Sequence, residues 1–77
     1  MALFDTDLKL GNQGEIVKDL QEFLAYEGSY VEANISGYFG SLTKNAVMKF
    51  QSKYGITPVS GFVGYKTRHK MQQLVGL

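Results

Sequence analysis

Apolar residues recur with a helical period in three stretches of this chain and lose that period between them. From about Glu15 to Tyr26, Val17, Leu20 and Leu24 fall at i, i+3 and i+7, and Ile16 and Phe23 widen the stripe into a face that can be buried. The turn Gly11-Asn12-Gln13-Gly14 leads into this helix, Glu15 suits its positive end, and Gly28 ends it. The pattern predicts a second helix from about Leu42 to Tyr54. Ser41 is placed to cap its first amides, and Gly55 to take the left-handed conformation past its end. Ala46, Val47, Phe50 and Tyr54 form its apolar stripe, while Lys44, Lys49 and Lys53 point elsewhere. A third helix is predicted from about Lys66 to Val75, with Met71, Leu74 and Val75 turned inward. The expected fold class is all-α, a three-helix arrangement with ordered, glycine-rich loops.

The connections carry as much information as the helices. Ser29 to Gly40 holds Tyr30, Val31, Ile35, Tyr38 and Phe39 without a helical period, which describes a loop that packs. Between the second and third helices, Pro58 keeps Thr57 extended, so one helix cannot run into the next. The two loop-to-helix passages also repeat: Gly37-Tyr38-Phe39-Gly40-Ser41-Leu42-Thr43-Lys44 aligns with Gly61-Phe62-Val63-Gly64-Tyr65-Lys66-Thr67-Arg68, and the match continues as Val47 to Met71 and Phe50 to Leu74. In each copy two glycines permit a tight turn, two large apolar residues between them are expected to plug the core, and a threonine is placed to bond exposed helix amides. Gln21 and Gln51 stand beside core positions and can offer their amides to a ligand or to loop backbone. A long ordered loop, whose amides need partners, favours the second role.

These residues together resemble the peptidoglycan-binding domain family of wall hydrolases, amidases and other exported bacterial proteins. The resemblance runs from Leu8 to Leu74. It rests on Leu8, Leu10-Gly11 and Gly14, on Val17, Leu20-Gln21, Leu24 and Gly28, then on Gly37-Tyr38-Phe39-Gly40, Thr43, Ala46-Val47, Phe50-Gln51 and Gly55-Ile56, and on Gly61, Gly64 and Thr67. Two departures touch the third helix and its entry: Tyr65 stands where the family usually has proline or a small polar residue, and His69-Lys70-Met71-Gln72-Gln73 replaces an alanine-rich turn. The resemblance divides the chain into an amino-terminal extension, residues 1–7, and a binding domain, residues 8–77. It implies a non-catalytic module that attaches a longer exported protein to the bacterial wall, at the cell envelope or outside the cell. This chain itself shows no signal peptide. The rival reading is a protein-interaction or assembly module using the same fold.

Composition narrows the chemistry. At 77 residues the chain is short for independent folding, but five tyrosines and five phenylalanines supply a core. With no cysteine and one histidine, neither a disulfide framework nor a Cys/His zinc cluster can be built. No cofactor or metal is implied. No apolar run approaches the roughly 20 residues a bilayer needs, so membrane insertion is not expected. The net charge of +1 hides an asymmetry. Seven acids and two lysines precede Gly37, a net −5, and six cations with no acid follow it, a net +6. Such blocks can attract an anionic polymer or complement one another across the fold, and the second reading is preferred. The lysines are spread over two helices without a basic-aromatic module, so nucleic acid is not an expected partner. Asp5 and Asp7 lie in a stretch expected to be flexible, and His69 stands between Arg68 and Lys70, so no catalytic set can be assembled.

The expected ligand is the glycan or the stem peptide of peptidoglycan. Gln13, Tyr38, Ser41, Tyr65 and Thr67 are the candidate contacts, on a shallow surface shared by the Gly11–Gly14 turn, the Tyr38-Phe39 loop and the start of the third helix. Helix starts offer free amides and a positive dipole end to carboxylates, and loop tyrosines offer flat faces to sugar or peptide carbon.

Overall fold

The computed structural model describes residues 2–76, and in it three α-helices follow one another: α1 (Glu15–Glu27), α2 (Ser41–Lys53) and α3 (Tyr65–Val75). The predicted stripe of α1 is buried, with Val17, Leu20 and Leu24 at 0–1% exposure. Gly28 closes this helix in the left-handed conformation, its N–H shared between the carbonyls of Leu24 and Ala25, while the Ser29 N–H also takes Leu24 O at 2.8 Å.

Both later helices begin one residue earlier than expected. Gly40 and Gly64 occupy the cap positions in nearly identical extended conformations (φ −102° and −106°), so Ser41 is the first helical residue of α2 and does not cap it. Beyond α2, Gly55 has the expected positive φ of 67°, and the Ile56 N–H returns to Gln51 O at 2.8 Å.

Ala46, Val47 and Phe50 from α2 and Met71 from α3 meet the α1 stripe in the core. Phe50 sets its ring edge-on to Phe23 at 5.7 Å and tilts against Tyr54 at 4.8 Å. The inward assignment of Leu74 and Val75 is corrected: both are more than 40% exposed. Beneath α3 the core is filled instead from the amino terminus, where Ala2–Phe4 form a 3-10 turn with Leu3 and Phe4 buried.

The stretch expected to be flexible is therefore packed over its described residues. The Arg68 guanidinium fastens it, donating to Phe4 O at 3.0 Å and to Asp7 Oδ1 at 2.8 Å. Further along, residues 8–14 tie the two repeated loops together. Leu8 and Val63 exchange both backbone hydrogen bonds (3.1 and 2.8 Å), Gly11 N–H donates to Phe39 O, Phe39 N–H donates to Asn12 O, and Gly14 N–H donates to Gly37 O. The ion pairs Glu27–Lys53 and Asp7–Arg68 each join the acidic half to the basic half, which supports the complementary reading of the charge blocks.

Candidate functional site

Two buried glutamines build the surface. From α1, Gln21 accepts from the N–H groups of Ser36 (3.0 Å) and Gly37 (2.8 Å) and donates to Tyr38 O (3.0 Å) and Thr43 Oγ1 (2.9 Å). From α2, Gln51 accepts from Ser60 and Gly61 N–H (both 2.9 Å) and donates to Phe62 O (2.9 Å) and Thr67 Oγ1 (3.1 Å). Each side-chain amide uses its two donors and accepts two bonds, so both are loop braces with nothing left for a ligand. Thr43 and Thr67 complete these clasps and do not cap helix amides, because their hydroxyls turn inward to the glutamines. Ser36 and Ser60 add the same local bond in each copy, accepting from the N–H of Tyr38 and Phe62.

The clasps bend each loop at a glycine with positive φ, 84° at Gly37 and 81° at Gly61. At Gly61 a side chain is excluded twice over, since a Cβ would fall 2.5 Å from Lys44 Cγ. Past the bend, alternation sends Phe39 and Val63 inward, both at 0% exposure, and Tyr38 and Phe62 outward, at 51% and 42%. The expectation of two core plugs per copy is thus corrected to one plug and one exposed ring. The exposed rings lie over backbone: a Cβ at Gly40 would sit 3.1 Å from the Tyr38 ring, and one at Gly64 2.9 Å from the Phe62 ring.

A groove opens beside each ring. The one at the start of α2, of about 490 Å³, is lined by Tyr30, Asn34, Ser36, Tyr38, Ser41 and Leu42 among others. Its counterpart at the start of α3, of about 320 Å³, is lined by Ile56, Pro58, Phe62, Tyr65 and Lys66, with Thr67 at its base. The candidate contacts are therefore divided. Tyr38 and Ser41 share the first groove, and Tyr65 and Thr67 share the second. Gln13 lines neither, although its backbone bridges to Tyr38. Tyr65 is 69% exposed and stacks on His69 at 5.7 Å, whereas Thr67 is buried. Asn34, Leu42, Phe62 and Lys66 were not anticipated as lining residues. The offset of 24 that pairs Phe62 with the candidate Tyr38 is the signal in the sequence that places Phe62.

Among the described residues, no three acidic, histidine or cysteine side chains stand close enough together to hold a metal ion, and no helix is long and apolar enough to cross a membrane.

Residues 13–71 match the family described as "Putative peptidoglycan binding domain". The zinc D-Ala-D-Ala carboxypeptidase of Streptomyces albus G is 43% identical over 68 residues, which cover 87% of this chain and 26% of that protein. The spore cortex-lytic enzyme of Bacillus subtilis is 38% identical over 64 residues, covering 83% of this chain and 21% of the enzyme. The chain thus spans about a quarter or less of these two curated relatives. Among solved structures, the N-terminal domain of SleB superposes with a TM-score of 0.82 at 36% identity, covering 90% of this chain and 92% of that domain. A peptidoglycan-binding protein from Clostridioides difficile, solved in complex with glutamine hydroxamate, gives 0.81 at 38% identity, covering 92% of this chain and 43% of that protein.

Proposed function

This chain belongs to the peptidoglycan-binding domain family, and on that footing we propose that it holds peptidoglycan without cleaving it and keeps an attached domain at the bacterial wall. The supporting observation is the groove at the start of α2, where an exposed tyrosine ring is fixed over glycine backbone by a fully satisfied glutamine clasp. A rigid ring with a wet hydroxyl suits sugar or peptide carbon, and costs little entropy to use because the loop is already ordered. Ser41, the first residue of α2, brings its hydroxyl and the positive end of the helix to the same groove. Gln13, across the backbone bridge from Tyr38, extends the contact surface.

The relatives that share this module are named as a zinc D-Ala-D-Ala carboxypeptidase and a spore cortex-lytic enzyme, and the matched stretch occupies only a small part of each. In this reading it raises the local concentration of an attached domain at the cell envelope and takes no part in bond breaking. Sedimentation with purified sacculi tests the reading. The wild-type domain is expected in the pellet, Tyr38→Ala is expected to shift toward the supernatant, and no soluble fragments should be released. A wild-type domain that stays in the supernatant would remove the wall as its partner and favour the assembly-module reading.

A further inference from the structure

The internal repeat duplicates the groove but not its chemistry. Position by position, Ser36, Tyr38, Gly40, Ser41, Leu42 and Thr43 of the first groove return as Ser60, Phe62, Gly64, Tyr65, Lys66 and Thr67 of the second. The first is uncharged and rich in hydroxyl and amide groups, from Tyr30, Asn34, Ser36, Tyr38 and Ser41. In the second, Ile56, Pro58, Phe62 and Tyr65 surround a single charged residue, Lys66. We infer that the groove at the start of α3 is a second binding site, which takes the carboxylate-bearing stem peptide of peptidoglycan while the groove at the start of α2 takes the sugar.

Three observations carry this. Phe62 has no polar tip to justify exposure, yet it is 42% exposed, with its N–H held by Ser60 Oγ at 3.1 Å and its carbonyl by Gln51 at 2.9 Å. An apolar ring presented on a braced loop is a contact surface for small alkyl side chains, such as the methyl groups of alanine residues. Lys66 spends one donor on Thr57 O at 3.1 Å, which steadies its ammonium at the groove and leaves its other donors for a carboxylate. Among the described residues the ion pairs go to Lys53 and Arg68 and none to Lys66, so no carboxylate holds its ammonium. Sugar hydroxyls and acetamides find the better match in the first groove, whose lining is uncharged and carries the hydroxyls of Tyr38 and Ser41 and the amide of Asn34.

The inference rests on the wall-binding reading, and the experiment separates the two. Backbone amide NMR of the domain is followed during titration with a disaccharide of two N-acetylglucosamines, which carries no carboxylate, and separately with a free stem tetrapeptide ending in a D-alanine carboxylate. The tetrapeptide is expected to move the resonances of residues 57–66, and the disaccharide those of residues 34–42. Lys66→Gln should weaken the tetrapeptide alone by roughly two- to fivefold, the scale of an exposed ion pair, and added salt should do the same. If sacculi pellet the domain but the tetrapeptide leaves residues 57–66 unmoved, or Lys66→Gln binds it as well as the parent, the second site is overturned and the wall-binding reading stands. If sacculi fail to pellet the domain, the wall-binding reading falls and this assignment falls with it.

Discussion

The two loop-to-helix units close with the same four-bond glutamine clasp, yet they enclose different lengths of chain. Gln21 and Ser36 are 15 residues apart, Gln51 and Ser60 only 9. The clasp is therefore set by the residues around Gly37 and Gly61 and is indifferent to how the chain arrives there. The extra length of the first unit passes through Tyr30 and the 3-10 turn Glu32–Asn34, where the Tyr30 hydroxyl donates to Asn34 O at 2.8 Å. It becomes one wall of the larger groove. A constant brace with a variable arm lets one repeat change its surface chemistry without disturbing the core.

The strongest way to break the comparison is to remove what both units share. Phe50, at 0% exposure, packs on Phe23 from α1 and stands one residue from the second clasp. Phe50→Ala is expected to cost about 3–5 kcal/mol and Leu20→Ala about 2–5 kcal/mol in urea melts, large losses for so small a domain. A Leu20→Ala melt matching the parent would mean that the α1 stripe is not the core face. Next come the clasps. Gln21→Ala and Gln51→Ala each strand two loop N–H groups, at about 1–3 kcal/mol for each group that water cannot reach. Gln51→Ala also takes the donor from Phe62 O and Thr67 Oγ1, whereas in Gln21→Ala Tyr38 O keeps the Gly40 N–H at 3.1 Å and the Thr43 hydroxyl keeps the Tyr30 hydroxyl and Tyr38 O at 3.5 Å. If the clasps are equivalent, the two variants lose similar stability, and hydrogen exchange quickens at Ser36 and Gly37 in one and at Ser60 and Gly61 in the other. A much smaller loss for Gln21→Ala would show that the longer loop has its own support.

How far these features were legible follows from the range over which each is specified. Helix stripes are local, so Val17, Leu20, Val47, Phe50 and Met71 could be placed from spacing, and the role of the two glutamines followed from counting loop amides. Leu74, the repeat partner of Phe50, is exposed where Phe50 is buried, because Leu3 and Phe4, some 70 residues away in sequence, pack against α3 and fill the core beneath it. Spacing cannot report such a contact. Tyr38 departs from the expected plug role because two adjacent large residues in an extended loop face opposite ways, and Phe39 is the one that reaches the core.

A subtler asymmetry lies at the end of α1. The Glu27 side chain is only 7% exposed at a helix end that disfavours an anion, and it is satisfied by Lys53 Nζ at 3.1 Å, the Tyr54 hydroxyl at 3.3 Å and the Ser29 hydroxyl. Its hydrogen bond to Lys53, and then its charge, raise the lysine above its ordinary 10.5. A raised lysine contributes stability that is fully present below the unfolded value and is lost as pH rises through the folded one. Melts should therefore weaken above about pH 10.5 more steeply in the parent than in Lys53→Met. Parallel curves would mean that the pair does not hold in solution. The second unit offers no such test, because α2 ends on Lys53 with Tyr54 and Gly55 beyond it.

The smallest expected effect on stability, and the sharpest on function, belongs to the rings themselves. Tyr65 is 69% exposed at the first position of α3, touching chiefly its helix neighbour His69, so Tyr65→Ala should shift stability by less than about 0.5 kcal/mol. Tyr38 is also half exposed, but its ring covers Gly40, so Tyr38→Ala should cost somewhat more stability without the collapse a core plug would bring. In sacculus sedimentation both variants should bind several-fold more weakly, each by removing a flat contact from its own groove, and the double variant should lose about the sum of the two free energies if the grooves act independently. Melting curves recorded on the same samples separate the causes. Weakened binding with an unchanged midpoint assigns the ring to the ligand. Unchanged binding in Tyr65→Ala would take the second ring out of the contact surface and leave Tyr38 as the ring that meets the wall.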